Sequence, residues 1–295
     1  MTLEVTRAEG LVTVQDAGRR GFAHLGVPEA GPLDRPAADL ANRLVGNEPG
    51  AALLETTLLG LSVRALRAVT VAVTGAPCAV EVDGRGRPFG EPLSIAAGAE
   101  LSVGAATRGV RSYLAVSGGV AVEPVLGSRS TDTLAWVGPP ALTVGMRLPV
   151  GPGRTPRPVD VPARVEGEGP LRVRPGPRAD WFADQVLDHL TREEYVVDAA
   201  SNRVGLRLTG SPLARVVERE LPSEGLVLGA VQVPPDGQPV VMLADHPTTG
   251  GYPVVAVVEA DDLFRCAQLR PGDAVRFRRW EPRVPGPGAA PRRRP

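Results

Sequence analysis

The sequence contains no lysine; all 33 of its basic residues are arginine. That absence excludes a Schiff-base lysine and a Walker-type phosphate loop, which needs Gly-Lys-Ser/Thr. It also excludes biotin carried covalently on this chain, because biotin is attached through a lysine. Codon bias in a GC-rich genome explains an all-arginine chain without a functional cause, and the exclusions hold either way. Cysteine is scarce too. Cys78 and Cys266 are far apart and form no C-x-x-C pair, the pattern of two buried thiols in a reducing compartment. His24, His189 and His246 are dispersed, so no metal site is expected. No apolar run approaches the ~20 residues of a membrane span, and the first residues lack the basic and apolar regions of a signal peptide. A cytoplasmic location follows as the expectation. The 33 acidic residues cancel the 33 basic ones, so no long-range field favours nucleic acid or an anionic membrane. There is no G-x-S-x-G elbow to support serine-hydrolase chemistry.

What is present is strand. The chain has 295 residues and is 43% hydrophobic, enough for one large or two ordinary domains. The strongest helical pattern has Asp34 as N-cap, Pro36 in the first turn and Ala37, Leu40, Ala41, Leu44 and Val45 on one face, closed by Gly46-Asn47. Around it the apolar runs are short and punctuated by Gly, Pro or Asp: 3–6, 11–14, 53–56, 61–63, 68–74, 79–82, 93–95, 100–103 and 110–116. The first two flank Glu9-Gly10 and read as a hairpin, as do the runs around Asp83-Gly84. The stretch G-R-G-R-P-F-G at 84–90 resembles a dinucleotide fingerprint but lacks its spacing and following helix. A Pro/Gly/Arg-rich segment divides the chain. The expected organisation is a β-rich lobe over 1–150, a linker over 151–169, a second β-rich lobe over 170–281 and a disordered tail over 282–295. In the second lobe Asp180 is expected to cap a helix carrying Phe182, Val186, Leu187 and Leu190, and a short helix covers 261–269. The fold expected is mainly β, with two barrel-like lobes and about three helices.

The densest polar stretch is 223–252. Two apolar runs, 226–233 and 239–244, flank the turn Pro235-Asp236-Gly237-Gln238 and read as a hairpin. Ser223, Glu224 and Gln232 lie on its first arm; Asp245, His246, Thr248, Thr249, Gly250, Gly251 and Tyr252 follow the second. Antiparallel arms are expected to bring Glu224 near Asp245. Two such carboxylates would repel, raise one pKa and supply an acid/base pair without histidine. Thr248, Thr249 and the amides of Gly250 and Gly251 could stabilise an oxyanion. A second cluster, L-G-S-R-S-T at 126–131, offers hydroxyls, backbone N–H groups and a guanidinium as an anion site, with Arg129, Ser130 and Thr131 as its candidates. Arg203 is a second candidate partner for a substrate carboxylate. Gln15, Asp16, Gln232 and Tyr252 complete the candidates for contact with a small polar substrate. The competing reading is that these groups satisfy one another where two barrels meet.

Several stretches occur together and in order. They are V-Q-D-A-G-R-R-G-F, P-L-D-x-x-A-x-x-x-A-N-x-L-V-G-N, Y-L-A-V-S-G-G, L-G-S-R-S-T, S-N-R-V-G-L-R-L, G-A-V-Q-V-P-P-D-G-Q-P and D-H-P-T-T-G-G-Y-P. This set resembles the biotin-dependent carboxyltransferase family, also called the allophanate hydrolase subunit 2 family, over nearly the whole chain. The resemblance implies a cyclophilin-like, β-rich fold. It also implies a place in an ATP-dependent 5-oxoprolinase that opens 5-oxo-L-proline to L-glutamate, with ATP as cosubstrate. The partners it implies are a homologous B subunit, similar in architecture, together with a LamB/YcsF-type A subunit. Two alternatives within the same resemblance are a carboxyltransferase acting on urea or a related amide, with biotin on a separate carrier, and a regulator that binds a homologous kinase inhibitor. The chain departs from the family pattern at Asn202, where an Asp is usual, so a charge that could serve a cation or a polarised water is missing there.

Overall fold

The computed structural model describes residues 3–153 and 169–281. The linker expected over 151–169 lies mostly outside the described residues, and the tail expected over 282–295 lies wholly outside them.

Strands before residue 153 build two antiparallel sheets. One has the order Arg147–Leu148, Leu3–Ala8, Leu61–Ala65, Glu100–Ala106, Cys78–Val82, Arg85–Arg87; the other runs Val12–Gln15, Leu53–Thr57, Arg111–Val116, Val69–Gly75, Leu93–Ile95. Their facing sides share one apolar cluster that includes Leu3, Val5, Val14, Leu61, Val63, Leu101, Leu114 and Val116. Alternation along Leu3–Ala8 puts Leu3 and Val5 inward, as a strand with one solvated face requires. Strand Arg111–Val116 is buried at every position. Leu114 and Val116 face the inter-sheet core, whereas Tyr113 and Ala115 pack against Ala38, Ala41 and Leu44 of the helix Arg35–Leu44. That helix begins as its sequence indicates, with Asp34 accepting from the Ala37 N–H at 3.0 Å and Pro36 in the first turn.

Strands after residue 169 close a seven-stranded barrel, in the order Leu171–Pro175, Val254–Val258, Ala230–Gln232, Val240–Met242, Gly205–Thr209, Glu194–Val197, Ala274–Arg279. Parallel pairing of the first and last of these seals it, so no barrel edge remains open. Leu190 and Leu187 of the helix Val186–Arg192 enter its core beside Tyr195, Phe277 and Val255. The P-D-G turn forms as expected. Gly237 sits at φ 76°, and a Cβ there would lie 2.8 Å from Pro212 Cβ, so both conformation and space require glycine.

Two local expectations fail for tertiary reasons. The runs 3–6 and 11–14 do not pair with each other: Leu3–Ala8 pairs with Leu61–Ala65 while Val12–Gln15 pairs with Leu53–Thr57 in the other sheet. The chain crosses between layers at Glu9-Gly10 instead of turning back. The helix expected after Asp180 splits into a short 3-10 turn, Ala179–Trp181, and the helix Val186–Arg192, because Gln185 takes a left-handed conformation at φ 64°. Trp181 and Phe182 are thereby directed into the barrel core on their own. No described helix is long and apolar enough to cross a membrane.

Candidate functional site

The hairpin arms pair antiparallel, Val231 opposite Val241. Beyond them the pairing places Glu224 opposite Gly250 and Gly225 opposite Thr249. Asp245 is passed several residues earlier, so the expected Glu224–Asp245 carboxylate pair does not form. Glu224 instead binds Arg178 through both carboxylate oxygens, at 3.0 Å for the Nε contact. The Arg178 guanidinium holds the Glu224 carboxyl below its ordinary range, the opposite of the raised pKa expected.

Asp245 turns inward and is fully buried. Its Oδ2 accepts from Arg203 Nε at 2.9 Å and from the N–H and hydroxyl of Thr133 at 2.9 and 2.7 Å; its Oδ1 accepts from Arg203 Nη2 at 3.0 Å. Arg203, only 1% exposed, also donates Nη1 to Glu55 and Nη2 to the Gly31 carbonyl at 2.7 Å. Glu55 in turn accepts from the Leu33 N–H at 3.1 Å and the Tyr113 hydroxyl at 2.9 Å. Burial alone would lower the pKa of Arg203; Glu55 and Asp245 outweigh it and raise the pKa, so the guanidinium stays charged. Burial pushes the Tyr113 phenol up, with Glu55 adding to it, so Tyr113 remains a neutral donor. This bridge joins the barrel to the two-sheet lobe. Nearby, Gln268 of the second half donates Nε2 to Asp34 and the Arg111 carbonyl, and its Oε1 accepts from the N–H groups of Val110 and Arg111.

The anion site expected at 126–131 exists, but the chain fills it with its own carboxylate. Asp16 accepts from the Ser128 and Ser130 hydroxyls at 2.5 and 2.8 Å, the Arg129 N–H at 2.6 Å and the Gly18 N–H at 2.9 Å. The Arg129 side chain donates to the Val122 carbonyl at 2.6 Å, and the Thr131 hydroxyl donates to the Pro139 carbonyl at 2.9 Å. Gln15 is buried and donates to Thr13 and the Thr131 carbonyl while accepting from the Gly31 N–H. Gln232 donates to the Tyr252 carbonyl at 3.0 Å. Tyr252 and Gly251 are exposed, with the Arg215 guanidinium 5.9 Å from the Tyr252 ring centre. Asn202 caps its own turn, its Oδ1 accepting from the Val204 N–H at 2.8 Å and the Gly205 N–H at 3.3 Å. The side-chain oxygen of an Asp could accept these same bonds, so the departure at this position leaves the turn intact.

Among the candidate site residues named from sequence, Thr248 alone lines the large cleft between the lobes. That cleft has a volume of about 860 Å³ and is walled by residues 19–39 of the first half and by 226–228, 244–248 and 260–264 of the second, not every residue of each segment contributing. Its polar side chains include Arg19, Arg20, Arg35 and His246, and its apolar wall includes Val27, Leu228 and Phe264. Arg20 is paired with Glu29 at 2.8 Å. Arg19 is 2% exposed; it binds the Ser130 carbonyl through Nη2, but its Nη1 has no hydrogen-bond partner among the described residues. Burial lowers the pKa of Arg19, partly offset by Asp132, Asp16 and Asp245. Sequence reasoning passed over Arg19 and Arg35, although both lie in stretches that carry the family resemblance. Spacing alone does not tell an arginine whose bonds the fold uses from one it leaves free.

The carboxyltransferase domain, subdomains A and B, matches residues 25–279, and the chain belongs to this family. It is 39% identical over 286 residues to the C subunit of the Escherichia coli 5-oxoprolinase, covering 93% of this chain and 90% of that protein. The crystal structure of TTHA0988 superposes with a TM-score of 0.84 at 38% identity, covering 94% of this chain and 55% of that one. The urea amidolyase of K. lactis superposes with a TM-score of 0.87 at 29% identity, with 94% of this chain but only 18% of that enzyme covered. The chain thus spans about half of the first of these solved structures and under a fifth of the second.

Proposed function

We propose that this chain is the C subunit of an ATP-dependent 5-oxoprolinase, acting in the cytoplasm with a homologous B subunit, together with a LamB/YcsF-type A subunit. The observation that carries this reading is the match to the C subunit of a 5-oxoprolinase over most of both proteins, 93% of one chain against 90% of the other. In the reaction one water is added across the lactam C–N bond of 5-oxo-L-proline. The ring carbonyl carbon becomes the side-chain carboxylate of L-glutamate, and the nitrogen takes a proton to become its amine. Coupling to ATP requires phosphate-binding equipment. The hydroxyl- and amide-rich loop at 126–131 does not fit a phosphate, because Asp16 already occupies its donors. ATP use is therefore assigned to the assembly. Covalent biotin finds no lysine on this chain.

A second reading, carboxyl transfer to urea or a related amide, is favoured by the family and by the fit to K. lactis urea amidolyase. It needs biotin on a separate carrier. Purification with the A and B subunits separates the two. The expected result is 5-oxoproline-dependent ADP release and glutamate formation by the complex and none by the chain alone. Robust turnover by the isolated chain would refute dependence on partners. A complex that ignores 5-oxoproline but carboxylates urea from carboxybiotin would transfer support to the second reading.

A further inference from the structure

The cleft between the lobes lies within the ~300–1,000 Å³ typical of small-molecule sites. Arg35 is the first residue of the helix Arg35–Leu44, and Pro36 and Asp39 of that helix also line the cleft. The first turn of the helix therefore borders this space, with its N-terminal end capped by the Asp34 carboxylate. The Arg35 side chain is exposed. Among the described residues it makes one long hydrogen bond, 3.4 Å to the Ala17 carbonyl, and no ion pair. Arg19 lines the same cleft but is buried and bound to the Ser130 carbonyl through Nη2, which leaves Arg35 as the exposed guanidinium of this wall without an ion pair among the described residues.

His246 supplies the other polarity. Its Nδ1 lies 2.7 Å from the Pro247 carbonyl. A carbonyl only accepts, so Nδ1 carries the proton and the neutral ring keeps the Nε2 lone pair as an acceptor. The same cleft also offers the apolar side chains of Val27, Leu228 and Phe264. A ligand that uses all three features carries an anionic group, an N–H donor and a small apolar ring.

We propose that this cleft binds a small cyclic amide bearing a carboxylate, the class to which 5-oxo-L-proline belongs, with Arg35 on the carboxylate and His246 on the lactam N–H. The assignment of this substrate class rests on the functional reading above; the location rests on the cleft. It differs from the site expected from sequence, because neither Asp245 nor Glu224 takes part. The cleft is larger than one such ring, which leaves room for a group from a partner subunit to enter beside it.

The test uses the assembled complex with Arg35→Ala, Arg35→Lys and His246→Gln, the thermal midpoint of each checked against wild type. Arg35→Ala should raise KM for 5-oxo-L-proline about tenfold or more with little change in kcat, the signature of lost uniform binding. Arg35→Lys should recover part of that loss. Inhibition by 2-pyrrolidinone, which lacks the carboxylate, should be insensitive to Arg35→Ala but weakened by His246→Gln. Calorimetric binding of 5-oxo-L-proline to the complex is measured in parallel. An active complex whose KM is unchanged by Arg35→Ala and His246→Gln overturns the cleft assignment and leaves the functional reading standing. An inactive complex that binds 5-oxo-L-proline through Arg35 does the reverse. An inactive complex that shows no binding overturns both.

Discussion

Arg203 and Arg35 both belong to the region where the lobes meet, one in the buried bridge and one on the cleft wall, and have opposite fates. Arg203 is buried and uses Nε, Nη1 and Nη2 on Asp245, Glu55 and the Gly31 carbonyl. Arg35 is exposed at the start of a helix, with one long hydrogen bond to the backbone. The physical cause is desolvation. A charge removed from water is tolerated only when the fold supplies partners for it, so a buried arginine arrives at any ligand already engaged. A residue at a cleft wall keeps water as its partner until a ligand replaces it. In this protein the polar groups that dominate the motifs are mostly of the first kind.

The largest effect expected from breaking that contrast is at the bridge itself. Arg203→Met should cost about 3–5 kcal/mol, the usual loss when one member of a buried charge network is removed and the others are left uncompensated. Denaturant unfolding measures it. A variant as stable as wild type would show that the bridge does not hold the lobes together. Asp245→Asn is the sharper comparison. A catalytic base would lose at least ~100-fold in turnover with the fold intact. A bridge residue should instead lose about 2–3 kcal/mol of stability, the scale of charged hydrogen bonds, with turnover per folded complex near wild type. Measuring both on one preparation separates the roles.

Buried groups in the barrel that lack an ionic partner should act at high pH. Burial pushes the Cys266 thiol and the Tyr195 phenol each up to about 12. The unfolded chain releases these protons first, near pH 9 and 10, so the native state binds more protons between there and pH 12. Stability is therefore full below pH 9 and should fall as pH rises, by at most about 1.4 kcal/mol per pH unit for each group. Urea midpoints from pH 8 to 11 test this, and Cys266→Ala should flatten the part that begins near pH 9. A flat wild-type profile would contradict it. The smallest effect belongs to Glu224, whose partner Arg178 is partly exposed. Its depressed pKa means that its stabilisation is present above the ordinary carboxylate range and lost as pH falls through the folded value. Glu224→Gln should differ slightly from wild type at neutral pH and converge with it in acid. Loss of complex turnover in Glu224→Gln at unchanged stability would restore Glu224 as a catalytic candidate.

Much of the architecture was legible from local pattern. Period-2 alternation and Gly/Pro punctuation marked most strands, Asp34 and Pro36 marked the start of the first helix, and P-D-G and D-G marked two turns. These signals are local because backbone conformation and capping depend on near neighbours. The failures share a cause. Residues 3–6 and 11–14 look like a hairpin until the other strands compete for them, and the helix after Asp180 breaks where burying Trp181 and Phe182 outweighs continuity.

The candidate site divides in the same way. The sequence by itself determined which residues are polar and clustered, that no lysine chemistry is available, and, through its ordered motifs, which family the chain resembles. It did not determine which of those groups meet. Glu55, Thr133 and Gly31 lie 148, 70 and 172 positions from Arg203, by subtraction of residue numbers, and only the tertiary structure brings them to its guanidinium or to the carboxylate it holds. Pairing register carried Glu224 away from Asp245, and chain crossing brought Asp16 into the 126–131 loop. Burial then decided which charges are matched inside the protein and which face the open cleft. Solvation is a property of the packed molecule, so that decision belongs to the fold and not to any stretch of sequence.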